Sequence, residues 1–137
     1  MSYDLYNLKY ELSDREAYDF ARKAISYQPS DVNRLVIRPP EKLEHYLAKS
    51  VLFYILQEYN HDVLSEFEVV GVGRGDLFDL NTRVQYELET TDSKWYQRKA
   101  NEKYMSIGHE VIVIDCSELP LDFYQIYMYL QQFVHPD

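Results

Sequence analysis

Residues 73–90 read GRGDLFDLNTRVQYELET, and their pattern decides what kind of sheet the chain builds. Val84, Tyr86 and Leu88 alternate with Gln85, Glu87 and Glu89, the period of two of a strand with one face on a core. Asn81-Thr82-Arg83 reads as the turn before it, and Asp76 to Leu80 as the preceding strand. The stretch also holds four carboxylates, Asp76, Asp79, Glu87 and Glu89.

Working outward, VLSEFEVVGVG (Val63 to Gly73) is a further strand rich in β-branched residues. EKLEHYLAKSVLFYILQEYN precedes it, with Leu43, Leu47, Val51 and Ile55 at helical spacing. On the other side, TDSKWYQRKANEKYMSIG predicts a helix stopped near Gly108, a residue suited to a left-handed helix end. HEVIVIDCS then reads as a strand buried on both faces, and LPLDFYQIYMYLQQFV as a last helix, apolar nearly all round. At the start, Ser13-Asp14-Arg15-Glu16 forms a capping box for a helix expected to run to about Tyr27, and RLVIRPP is extended because of its prolines. The fold class is α/β. Helix, antiparallel three-strand meander, helix and a fourth strand follow one another, and the crossover helix makes the fourth strand parallel to its neighbour. An extra N-terminal helix and a C-terminal helix flank this core.

With 137 residues, 46% hydrophobic and 15% aromatic, the chain reads as one folded domain rather than a disordered segment. Fourteen tyrosines supply packing area with a polar tip, which suits cores, interfaces and base stacking alike. The formal charge of −9 argues against a protein that coats nucleic acid through non-specific phosphate contacts. It is compatible with an enzyme whose acids hold cations against a phosphodiester. Cys116, the only cysteine, excludes an intrachain disulfide and reads as the buried end of a strand. There is no zinc spacing of His and Cys, no secretory signal pattern and no apolar run of about 18 residues, so a cytoplasmic location is expected.

Glu87 and Glu89 share a strand face, about 6.6 Å apart along it. If the strands pair about the Asn81–Thr82 turn, Asp76 lies near both. Three carboxylates would then converge on a hard cation, for which Mg²⁺ is the natural choice, with Mn²⁺ its substitute. The competing reading is a strand whose acids simply face water. Asp79 reads as a turn or solvent residue, and Glu66 and Glu68 as solvent-facing. Arg74-Gly75-Asp76 spells an adhesion tripeptide, but it opens a strand and no secretion signal accompanies it.

The run of features resembles the PD-(D/E)XK nuclease superfamily over about residues 41–116. Glu41, Glu44, His45 and Lys49 open a helix, Glu66 and Glu68 lie on an acidic strand, RGD supplies Arg74 and Asp76, and YELETTDS supplies Glu87 and Glu89. The pattern is similar to competence-type and small archaeal or viral nucleases. The resemblance implies a restriction-endonuclease-like core at 41–116, an extension at 1–40 and a C-terminal helix at 117–137. It implies a Mg²⁺-dependent hydrolase cleaving DNA by attack of metal-activated water. Asp76 and Glu87 would ligate the metal, with the Leu88 carbonyl and a helix acid, Glu44 in preference to Glu41. Glu89 stands where most members carry lysine, so Glu89 or a lysine of the next helix, Lys94 being nearest, would activate the water. Lys94, Arg98, Lys99 and Lys103 would guide the phosphate backbone. The alternative is a non-catalytic nuclease-fold protein that binds DNA or protein. A homodimer through the aromatic C-terminal helix is a further expectation.

Overall fold

The computed structural model describes residues 25–39, 41–90, 93–104, 110–120 and 122–134. Strands β1 (Ile25–Ser26), β2 (Val63–Val69), β3 (Gly73–Asp79), β4 (Val84–Glu89) and β5 (Glu110–Asp115) form one sheet in the order β1-β2-β3-β4-β5. The first four are antiparallel to their neighbours, and β5 is parallel to β4. Helix α1 (Leu43–Glu58) precedes β2, α2 (Ser93–Tyr104) crosses from β4 to β5, and α3 (Phe123–Gln131) follows. The chain is thus α/β with a mixed five-strand sheet, and the expected meander and parallel strand are present.

One expectation fails at the sheet edge. The predicted first helix was to reach Tyr27, but Ile25 and Ser26 pair with Val69 and Glu68 as β1. Ile25 is wholly buried among Leu64, Phe67, Val69 and Phe78, so tertiary packing overrides the local pattern. The capping box at 13–16 lies outside the described residues, as does the expected helix stop at Gly108.

Two cores sandwich the sheet. Val51, Leu52, Ile55 and Leu56 of α1 and Ile126 and Leu130 of α3 pack on Leu77, Val84, Tyr86 and Leu88. On the opposite face Ala100 of α2 joins Leu64, Phe67, Phe78 and Val111. Phe67 and Phe78 meet edge-on at 5.6 Å, a geometry that adds about 0.5–1.5 kcal/mol beyond area burial.

The β3–β4 turn is fixed by Asp79. Its Oδ1 accepts from the Asn81 and Thr82 amides, at 2.9 and 3.3 Å, and its Oδ2 lies 2.6 Å from His61 Nδ1. Asp79, expected as a turn or solvent residue, is the last residue of β3, and it is wholly buried and paired rather than solvated. The α3 N-terminus is capped by Asp122, whose carboxylate accepts from the Tyr124 and Gln125 amides.

An irregularity in the β2–β3 ladder positions the acids. Partners in β2 and β3 keep a constant register, from Val63↔Asp79 to Val69↔Gly73, but Glu66 and Asp76 do not pair. Glu66 has a left-handed backbone, φ 50°. Leu64 and Phe67 consequently share one face although an odd step apart, while Leu77 and Phe78 still divide between the two cores. Gly75 sits beneath Phe67, where a Cβ would run into the ring and stand 2.8 Å from Gln85 Nε2. Both strands therefore switch faces at Glu66 and Asp76.

Candidate active site

The face switch turns the Glu66 and Asp76 carboxylates toward α1. There His45 and Lys49, one helical turn apart, project at them. Lys49 Nζ lies 2.8 Å from Glu66 Oε1 and 3.1 Å from Glu41 Oε1. Glu41, just before α1, also accepts from the Arg38 amide at 3.2 Å and bonds His45 Nδ1. His45 Nε2 stands 3.3 Å from Asp76 Oδ1, and Arg38 Nε lies 3.7 Å from Glu66 Oε2. Charges of opposite sign thus alternate from Arg38 through Glu66, Lys49, Glu41 and His45 to Asp76.

The β3–β4 ladder supplies the other half. Asp79↔Val84, Phe78↔Gln85 and Leu77↔Tyr86 pair, and the ladder then stops. Where the next backbone pair would form, the Leu88 amide donates to Asp76 Oδ2 at 2.8 Å. Glu87 hydrogen-bonds Asp76, and Gln85 Nε2 donates to Glu87 Oε1. Asp76, Glu87, Leu88 and Glu89 line a cleft of about 340 Å³ with Glu41 and His45.

The electrostatics divide these acids. Burial would raise the Asp76 carboxyl, but His45, the Leu88 amide and Glu87 hold it below the usual range. Burial pushes Glu87 well up, and the Asp76 charge adds to it. Glu89 is raised by burial and then by Asp76. His45 is raised chiefly by its bond to Asp76.

The structure brings together Asp76, Glu87, Leu88 and Glu89 of the expected set, but not Glu44 or Lys94. Glu44 is exposed; one residue before His45, it is rotated about 100° from the cleft-facing side of α1. Glu41 lines the cleft instead. Lys94 is also exposed and stands outside the cleft, whereas Lys99 and Lys103 line a neighbouring cleft that Glu87 and Glu89 border as well. Glu66 is not solvent-facing: its side chain is only 11% exposed and it balances a Lys49 that is wholly buried. The sequence reading missed this pairing, although Glu41, His45 and Lys49 recur every four residues, the spacing of one helix face. Cys116 is buried as expected, with its thiol pushed up to about 12, first by burial and then by nearby acids. Arg74-Gly75-Asp76 lies within β3 rather than on a loop.

The donor set suits a hard divalent ion in type. Two carboxylates in hydrogen-bond contact, with a third two residues on, repel one another unless a proton or cation intervenes. As they stand, no three His, Cys, Asp or Glu side chains among the described residues are assembled closely enough to ligate one ion. A site here would consist of Asp76, Glu87 and the Leu88 carbonyl, with Glu89 beside them.

Comparison with protein-family models, with curated proteins and with solved structures finds no match.

Proposed function

We propose that the chain is a metal-dependent nuclease with a restriction-endonuclease-like core, hydrolysing phosphodiester bonds in DNA. The observation that carries this reading is the meeting of Asp76 and Glu87 where the β3–β4 ladder ends, beside Glu89 and an open cleft. A bound Mg²⁺ or Mn²⁺ would polarise the phosphate and lower the pKa of an attacking water. Asp76, Glu87 and the Leu88 carbonyl would hold it. His45 orients Asp76 from behind, and Glu41 fixes the His45 ring through its other nitrogen. Glu89, raised and only partly buried, is the group suited to take a proton from the attacking water. Lys49 does not fill that role, being committed to Glu41 and Glu66.

The test is incubation of the purified protein with plasmid and single-stranded DNA in Mg²⁺ or Mn²⁺. Wild type is expected to cleave, and Glu87→Ala to lose activity by a factor of at least about 100, the scale of losing a central electrostatic stabiliser. No cleavage by wild type, or equal cleavage by Glu87→Ala, overturns the reading.

A second reading is a non-catalytic nuclease-fold protein. It is favoured by the absence of an assembled three-carboxylate group among the described residues and by the glutamate at 89. Calorimetry separates the two: Mn²⁺ uptake that disappears in Asp76→Ala supports the enzyme, and no uptake by wild type supports the binding protein.

A further inference from the structure

Beside the acids lies a second cleft, of a different chemistry. Its wall is one stripe of α2: Trp95, Lys99 and Lys103 at four-residue spacing, with Tyr96 and Ala100 alongside. Glu87 and Glu89 form its border with the acidic cleft, and Arg74 closes it from β3.

Trp95 is the only tryptophan of the chain and leaves 43% of its surface exposed. It lines the cleft with three cations, Arg74, Lys99 and Lys103. Tyr96 braces it edge-on at 4.9 Å, and Lys99 Nζ lies 5.7 Å from its ring centroid. Lys103 crosses the start of β3, where a Cβ on Gly73 would stand 2.8 Å from its ammonium. The Lys99 ammonium thus stands over the Trp95 ring, and Lys103 lines the same cleft. Three cations gather here in a chain of net charge −9, although Glu87 and Glu89 line the same cleft and Glu102 lies 3.8 Å from Lys99.

We propose that this cleft binds an unpaired nucleotide strand, one base stacking on Trp95 while its flanking phosphates meet Lys99, Lys103 and Arg74. The combination of a stacking ring and a cationic track is what sequence-tolerant single-strand binding requires. The cleft is about 270 Å³, just below the roughly 300–1,000 Å³ range of small-molecule sites, a scale that suits a single nucleoside. Its border on Glu87 and Glu89 delivers the adjoining phosphodiester to the acids. This deepens the nuclease reading and rests on it for the outcome of binding, not for binding itself.

The test uses the full chain in EDTA, so that no cleavage occurs. Oligothymidylate, oligouridylate and a closed blunt duplex are titrated while tryptophan emission and the anisotropy of labelled strands are followed. Both single strands are expected to quench Trp95 and the duplex to leave it unchanged; stronger quenching by one strand identifies DNA or RNA as the preferred source. Trp95→Ala is expected to bind about tenfold more weakly, and Trp95→Phe to stay within a few-fold of wild type. No quenching by either strand, equal binding by the duplex, or unaltered affinity in Trp95→Ala overturns the proposal. Wild-type quenching decides the matter even if a variant fails to fold. The two readings fail separately: quenching without cleavage in Mn²⁺ removes only the nuclease, and cleavage without quenching removes only the stacking site.

Discussion

Lys49 is the residue on which the acidic cluster depends. Its side chain has no contact with solvent, and among the described residues it pairs with Glu41 and Glu66, themselves 7% and 11% exposed. Truncating one member of such a buried group leaves the others charged and desolvated. Lys49→Met is therefore expected to cost about 3–5 kcal/mol of stability, read from urea unfolding. Replacing all three, as Lys49→Met with Glu41→Gln and Glu66→Gln, should recover most of that loss; failure to recover would mean that the loss does not come from uncompensated charge. At this scale the sequence was half legible. Asp76, Glu87 and Glu89 could be found from alternation and turn position. Glu41 could not be separated from Glu44, because both acids fall at the start of one helix and only the neighbouring strand decides which is used. For Lys49 the four-residue spacing from Glu41 and His45 signals a shared helix face, but nothing local signals that Glu66 of β2 meets it there.

At the scale of elements, the paired face switch in β2 and β3 is what turns the Glu66 and Asp76 carboxylates toward α1. Without it Asp76 would share a face with Phe78 and point at the α2 core, by the period of two. The left-handed backbone at Glu66 carries an intrinsic cost of about 1–2 kcal/mol for a residue with a Cβ. Glycine escapes that cost but loses about 0.5–1 kcal/mol more chain entropy than alanine. Glu66→Gly should therefore be more stable than Glu66→Ala by about 0.5–1 kcal/mol, the reverse of the order within a regular strand. Both variants lack the carboxylate, so their difference isolates the backbone. Equal denaturation midpoints, or a higher one for alanine, would sink the argument. This switch also explains why Glu66 was misread as solvent-facing. Alternation predicts faces only while the strand stays regular, and no residue type in VLSEFEV announces the break. The hairpin, crossover helix and buried last strand were readable because their signals are local: a turn tripeptide, a helical period and an apolar run.

On the whole molecule, net charge and local charge pull in opposite directions, and salt dependence separates them. A strand held in the α2 cleft meets three cations, Arg74, Lys99 and Lys103. Each neutralised phosphate on a single strand contributes about −0.7 to the slope of log K against log salt, so the whole slope is expected near −2. The global charge of −9 adds a diffuse repulsion that salt screens, which flattens the slope further rather than steepening it. Lys99→Ala should reduce the magnitude of the slope by about 0.7, while a change at exposed Lys94, outside the cleft, should leave it alone. Titrating oligothymidylate at several NaCl concentrations in EDTA measures both. A slope of about −5 or steeper would require more phosphate contacts than this cleft can make. The strand would then run over a wider surface than the stripe of Trp95, Lys99 and Lys103, and its path to Glu87 and Glu89 would no longer follow from the fold.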